Sequence, residues 1–128
     1  MRPEKMTPET VVQQQLDAYN AKDIDALMAT YAADAEQFEH PSKLLAGGAP
    51  HIRERFQARF QEPDLNARLI HRIIAGETVV DHEIVTRTFP EGTDQIELVA
   101  IYNVQNDKIK KAWFISGTKT LGVKNGIS

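Results

Sequence analysis

The sequence predicts an α+β domain in which three N-terminal helices pack against an antiparallel sheet. Apolar residues recur at helical spacing in the first half of the 128-residue chain and at a period of two after Asn66. The joints between the later segments are short and rich in turn-forming residues, which favours hairpins over crossover helices. A length of 128 residues is typical of one domain, and 41% hydrophobic residues are enough to form its core. We therefore expect one domain over residues 1–128, with tails at 1–6 and 117–128.

Capping residues and apolar stripes predict the helices. Thr7 is a suitable N-cap for a first helix over about Pro8–Ala21. Asp23 is placed to cap a second helix, whose apolar stripe consists of Ile24, Leu27, Met28 and Tyr31. A third helix is predicted to begin at Pro50 and to end before Pro63.

The strands are predicted from alternation and from turn residues. Two short strands are expected near Ala35–Glu39 and Lys43–Ala46. Four longer strands follow as a meander. Every second residue of a strand lies on the same face, and the residues of one face are Ala67, Leu69, His71, Ile73; Val80, His82, Ile84, Thr86; Ile96, Leu98, Ala100, Tyr102; and Lys110, Ala112, Phe114.

The opposite face of this meander is also partly apolar. It carries Ile70, Ile74, Val79, Val85, Val99, Ile101, Ile109, Trp113 and Ile115. Three helices cover one face of a sheet, and a second copy of the chain is the simplest cover for the other. We therefore expect a homodimer, with Trp113 as an interface anchor.

Composition narrows the functional classes. A net charge of −3 and a pI near 5.8 argue against a nucleic-acid partner. The absence of cysteine removes thiol chemistry and fits a reducing compartment. No apolar run at the N-terminus or later has the length of a signal or membrane segment, so we expect a cytoplasmic protein with no membrane partner.

Specific segments resemble the nuclear transport factor two superfamily. They are Leu16–Asp23, Tyr31–Ala35, and Gly48 with Ile52 and Arg53, in the order and spacing of that superfamily. The nearest resemblance is to its SnoaL-like and ketosteroid-isomerase-like branches, which include isomerases, cyclases, hydrolases and noncatalytic binding domains. The resemblance implies a cone-shaped, curved antiparallel sheet packed on three N-terminal helices around one pocket, but it does not decide the function.

The resemblance to ketosteroid isomerases fails at two of their three catalytic positions. Gln15 stands where those enzymes have a tyrosine donor, and Ala100 stands where they have a protonated aspartate. His40, beside Glu39, takes the position of the aspartate base. A steroid isomerase is therefore not expected.

The resemblance also places one face of the sheet toward the pocket. On this basis the catalytic candidates are His40 and His82, since histidine titrates near neutrality. Asp81 and Glu83 then point to the opposite face, toward solvent or a dimer partner. The remaining candidates for ligand contact are Gln15, Tyr19, Glu39, His71, Leu98, Tyr102 and Phe114.

The sequence therefore predicts a SnoaL-like domain that binds a hydrophobic carbonyl compound and catalyses proton transfer of the isomerase, cyclase or dehydratase type. The alternative is a noncatalytic ligand-binding or dimerisation module in which the histidines are structural. No metal motif or cofactor motif is present in the histidine and carboxylate spacing, so no metal and no cofactor are expected.

Overall fold

A computed structural model describes residues 6–119 of the chain. The elements, in order, are α1 (Pro8–Ala21), α2 (Ile24–Met28), β1 (Tyr31–Glu39), β2 (Lys43–Gly47), α3 (Ala49–Arg59), β3 (Asn66–Ala75), β4 (Thr78–Phe89), β5 (Gly92–Gln105) and β6 (Lys108–Lys119). Most of the predicted tails lies outside the described residues. The last strand continues to Lys119, so residues 117–119 belong to the sheet and not to a tail.

Local signals set the helix ends. Thr7 caps α1 by accepting a hydrogen bond from the backbone N–H of Thr10, and Asp23 caps α2 in the same way. Gly48 precedes α3 with a φ of 88°, a conformation that favours glycine. The predicted helix stripe extended too far at Tyr31, because that residue already belongs to β1 and lies opposite Ile109 of β6.

The six strands form one sheet in the order β2-β1-β6-β5-β4-β3. The last four strands are the predicted antiparallel meander. β1 pairs with β6 in parallel, so the whole sheet is mixed. Three helices on one face of this sheet confirm the predicted α+β fold class. Within the described residues, no helix is long and apolar enough to cross a membrane.

The helices cover the inner face of the sheet. Helix α1 packs across β3 to β6, and α3 packs against β1 and β2. The side chain of Asn20 fixes α1 to β3 by bonding both the N–H and the C=O of Ala67, at 2.7 and 2.9 Å. The core lies between these layers and includes Val11, Val12, Leu16, Leu27, Ile52, Val79, Val85 and Ile109.

The inner face of β4 is not the predicted one. Val79, Asp81, Glu83 and Val85 are buried beneath the helices, whereas His82 and its alternate neighbours face outward. In β3, the register shifts between Leu69 and His71, so His71 lies opposite His82 on the outer face. A strand with apolar residues on both faces does not reveal which face is inward, and an error of one residue reverses every side chain.

Candidate functional site

A cavity of about 330 Å³ lies between the helices and the inner face of the sheet. Its size falls at the lower end of the range for small-molecule sites. The side chains around it are Gln15, Leu16, Tyr19, Gln37, Glu39, Lys43, Leu45, Arg55, Phe56, Arg59, Ala67, Glu83, Val85, Arg87, Ile96, Leu98, Tyr102, Phe114 and Ser116. Aromatic and aliphatic groups therefore share this cavity with several charges.

Glu83 is the carboxyl group on the floor of the cavity. β4 places it on the inner face opposite Leu98 of β5, and only 4% of the residue is exposed. It makes no hydrogen bond or ion pair with any residue in the range 6–119. Burial, reinforced by the negative charge of Asp81, raises the pKa of Glu83 to about 8, with Arg72 opposing the rise.

Asp81, the inner neighbour of Glu83, is bound very differently. Its two oxygens accept hydrogen bonds from Nε and Nη2 of Arg72 at 2.7 and 2.9 Å. Nη1 of the same arginine donates to Gln13 of α1 at 2.9 Å. Asp81 is fully buried, so this bidentate pair satisfies a carboxylate that would otherwise be strongly destabilising. Of the two inner carboxyl groups, Glu83 alone is free to meet a ligand.

Tyr102 supplies a hydroxyl group close to Glu83. It lies on the inner face of β5, and its O–H donates to Oε1 of Gln15 at 3.5 Å, a long contact. Burial raises the pKa of Tyr102 well above its usual value, and the charge of Glu83 is the next cause. The hydroxyl is thus a neutral donor whose present bond a ligand oxygen can replace.

A second polar group lies at the end of the cavity formed by α3. Nη1 of Arg55 donates to Oε1 of Gln37 at 2.5 Å, and Nε2 of Gln37 donates to the hydroxyl of Tyr31 at 3.3 Å. Gln37 is fully buried on β1. These two hydrogen bonds hold the partly buried guanidinium group of Arg55 at the cavity wall.

Two further arginines line the cavity beside Arg55. Arg87 binds Glu62 in a bidentate manner, at 2.8 and 2.7 Å, and Glu62 also accepts from the N–H of Thr88 at 2.9 Å. Arg59 lies 3.7 Å from the same carboxylate. Glu62 therefore pairs most closely with Arg87, and its ion pair with Arg59 is longer.

The histidine candidates do not lie in the cavity. His82 is on the outer face, where its Nε2 lies 2.7 Å from Oε2 of Glu97. His71 is exposed opposite it on β3. His40 is exposed at the end of β1, and its backbone N–H donates to the carbonyl of Phe114. The predicted inward orientation of His71 and His82 is wrong, and so is the outward orientation of Asp81 and Glu83.

The other predicted contact residues do line the cavity. They are Gln15, Tyr19, Glu39, Leu98, Tyr102 and Phe114. Gln15 and Tyr19 follow from the correct position of α1, and Leu98 and Tyr102 follow from the correct alternation of β5. Phe114 and Glu39 lie on β6 and β1. Binding of a ligand by these residues stays a prediction.

Sequence reasoning missed Glu83 and the arginines of the cavity. Asp81 and Glu83 lie on the same face of the strand as the apolar residues Val79 and Val85. The alternation therefore allowed that face to be the inner one as readily as the face that carries His82. Arg55 and Arg59 are four residues apart on α3, which places them on one side of that helix. That spacing could have identified them, but it is also common on solvent-exposed faces.

No cluster of three or more His, Asp or Glu side chains able to hold a metal ion occurs in the described part of the chain. The candidate chemistry of the cavity therefore rests on Glu83, Tyr102 and the arginines.

Helices that close one face of a mixed sheet over a cavity are typical of the nuclear transport factor two-like class of proteins. The chain belongs to the SnoaL-like domain family, which it matches over residues 12–112. No protein of curated function matches it in sequence.

Solved structures show the same fold. An uncharacterised cystatin-fold protein from Novosphingobium aromaticivorans is 25% identical, with a TM-score of 0.80 over 86% of this chain and 98% of that one. A proposed SnoaL-like polyketide cyclase from Shewanella putrefaciens is 15% identical, with a TM-score of 0.79 over 98% and 100% of the two chains. IdmH, a proposed polyketide cyclase from Streptomyces antibioticus, is 17% identical, with a TM-score of 0.74 over 87% and 92%. At the identities of the last two, the likeness shows the fold alone.

Proposed function

We propose that the protein catalyses proton transfer at a carbon next to a carbonyl group, with Glu83 as the general base and a hydrophobic small molecule as the substrate. The observation that supports this most directly is a nearly buried carboxyl group that faces a cavity without a partner in the described residues. Buried acidic groups are normally paired, and unpaired ones with a displaced pKa are concentrated at functional sites.

The reaction needs a base and a donor, and both are present. The Glu83 carboxylate takes a proton from the carbon, and the electron pair of the broken C–H bond moves toward the carbonyl oxygen to give an enolate. The Tyr102 hydroxyl donates a hydrogen bond to that oxygen in place of its long bond to Gln15. Where the substrate has a C=C bond at its β,γ position, this enolate is a dienolate, and protonated Glu83 returns the proton to the γ-carbon as the double bond moves into conjugation with the carbonyl group, which completes an isomerisation.

The raised pKa of Glu83 suits this role. A base is most effective when its pKa lies near the working pH, since a more basic group removes a proton more readily. With a pKa of about 8, roughly one tenth of the Glu83 population is ionised at pH 7. We therefore expect the rate to rise with pH and to level off above about pH 8.

This assignment replaces the predicted histidine bases. His82 is separated from the cavity by the sheet, and His40 is not among the cavity-lining side chains. The family name and the cyclase-like neighbours fit proton-transfer chemistry at a carbonyl compound, but they do not identify a substrate.

The test is deuterium exchange at the α-carbon of small ketones, with 1-tetralone as the first probe, followed by NMR in D₂O. We expect the wild-type protein to accelerate exchange and Glu83→Gln to lose at least about 100-fold of that acceleration. His82→Gln, which alters the neighbouring residue on the outer face, is the matched control and should retain it.

A second measurement needs no substrate. A ¹³C NMR titration of labelled glutamate side chains, assigned with Glu83→Gln, should show one carboxyl group with a pKa near 8. A Glu83 pKa near 4.5, or equal exchange rates in Glu83→Gln and the wild type, would contradict the proposal. Ligand binding without any exchange would favour the noncatalytic binding module.

A further inference from the structure

Arg55 is a charged group of the cavity that has no part in the proposed proton transfer. It lies on α3, lines the cavity, and donates a hydrogen bond to the neutral amide of Gln37. Within residues 6–119 it forms no ion pair with a carboxylate. Arg72 and Arg87, by contrast, each hold a carboxylate in a bidentate pair.

The surroundings of Arg55 increase the imbalance. Arg59 is one helical turn away, and Arg87 reaches the same cavity. Burial, and then the positive charge of Arg59, lowers the pKa of Arg55, with a smaller effect from Arg87. Like charges gathered in a partly desolvated space are unfavourable unless an anion neutralises them.

The charges that line the cavity do not balance. Lys43, Arg55, Arg59 and Arg87 are its cations, and Glu39 and Glu83 are its acidic residues. Glu62 offsets Arg87, which it binds, and lies 3.7 Å from Arg59, so Arg55 is the cation without a carboxylate partner in residues 6–119. Glu39 lies 3.8 Å from Lys43. At neutral pH Glu83 is mostly protonated, because its pKa is raised to about 8. The end of the cavity formed by α3 therefore has an excess of positive charge.

We propose that the ligand of this cavity carries a carboxylate group, which binds to Arg55 with assistance from Arg59. A guanidinium group matches the planar carboxylate with two parallel donors, and Gln37 holds it in place. The inference rests on the proposed function in one respect: the same molecule carries, at its other end, the carbonyl group whose neighbouring carbon reaches Glu83. The substrate class is thus a hydrophobic keto acid, with the acid at α3 and the reacting carbon at β4.

Arg55 and Glu83 line the same cavity, which supports the two-ended arrangement. Arg55 lies on α3 and Glu83 on β4, so one group belongs to the helical wall of the cavity and the other to its sheet wall. A single molecule that fills the cavity between these walls contacts both groups.

The experiment measures the affinities of 2-naphthoate and of its neutral amide, 2-naphthamide, by calorimetry at pH 6.5, where Glu83 is protonated. We expect the wild-type protein to prefer the carboxylate by about tenfold or more. Arg55→Met should remove this preference while the amide still binds. Arg53→Met is the matched control, because Arg53 lies on the same helix but pairs with exposed Asp25 outside the cavity.

Three results would overturn the proposal: equal affinities of the two probes for the wild-type protein, an unchanged preference in Arg55→Met, or no binding of naphthoate at millimolar concentration. Inorganic phosphate is a further probe, and displacement of naphthoate by phosphate at equal concentration would assign the site to phosphate esters instead. Glu83→Gln should keep the preference for naphthoate. A protein that keeps the preference but shows no loss of exchange in Glu83→Gln would therefore disprove the proposed base and leave the carboxylate site intact.

Discussion

The two faces of β4 carry ionisable residues at adjacent positions in very different surroundings. On the inner face, Asp81 and Glu83 are buried under α1. On the outer face, the side chain of His82 is 35% exposed and binds the partly exposed carboxylate of Glu97. His82 and Glu83 are adjacent in sequence. His82 makes a solvent-screened contact on the surface, whereas burial of Glu83 raises the pKa of its carboxyl group to about 8.

This comparison shows that residue type is a weaker guide to chemistry than position on the pleat. Histidine is the usual candidate for a base near neutral pH, but on the outer face it meets water and a surface carboxylate. Glutamate is usually found ionised on protein surfaces, but burial raises the pKa of Glu83 to about 8. The predictions below test whether this difference between the faces is as large as the structure indicates.

The largest expected effect is the pH dependence of stability caused by Glu83. Its pKa is about 8 in the folded chain, compared with about 4.5 when exposed. The folded state therefore holds the proton more tightly, so the stabilisation from neutral Glu83 is full below about pH 4.5 and is lost as the pH rises to about 8. The full shift corresponds to a loss on the order of 5 kcal/mol.

Urea unfolding of the wild type and of Glu83→Gln over this pH range measures the effect. Glutamine cannot ionise, so the free energy of unfolding of the variant should lack this decline, and the difference between the two proteins should grow from pH 4.5 to 8. Parallel pH profiles of the two proteins would show that Glu83 is ionised without penalty in the folded state.

The next effect concerns the paired inner carboxylate. Asp81→Ala leaves the guanidinium group of Arg72 buried without its bidentate partner, which should cost about 4 kcal/mol of unfolding free energy. Because the penalty comes from the uncompensated charge, the double variant Asp81→Ala with Arg72→Met should recover part of that loss. A single variant within 1 kcal/mol of the wild type, in the same urea experiment, would contradict this reading of the inner face.

The helices and the meander could be predicted because their signals are local. The bounds of α1 were given by Thr7 and Pro8 at its start and by the apolar stripe that follows. The hairpins of β3 to β6 were given by turn residues between alternating segments. These features depend on residues close in sequence, so a single chain contains the information.

The orientation of β4 could not be predicted, because it depends on tertiary packing. Val79 and Val85 on one face are as apolar as Val80 and Ile84 on the other. The bulge near Ile70, which places Arg72 on the inner face of β3 opposite Asp81, has no glycine or proline to mark it. The resemblance to the family predicts His82 on the pocket face, whereas the strand places it on the outer face.

A smaller effect is expected for self-association. We propose that the outer face is covered by a second copy of the chain, since Ile73, opposite Val80, and Ile115, opposite Val99, are exposed there. Ile73→Lys, at a residue 64% exposed, should weaken the dimer at least about tenfold in sedimentation velocity. Ala58→Lys, on the exposed side of α3, is the control and should sediment as the wild type does. A monomeric wild-type protein at high micromolar concentration would refute the dimer.

The smallest effect is expected at His82, although it lies between the two inner carboxylates in sequence. His82→Gln removes a contact to Glu97 in which both side chains are substantially exposed, and such surface pairs contribute about 0–1 kcal/mol. Glutamine retains an amide donor for Glu97, so the loss in urea unfolding should be at the lower end of that range. A loss above 2 kcal/mol would mean that the outer face is buried, and repeating the measurement on monomeric Ile73→Lys would show whether the dimer is what buries it.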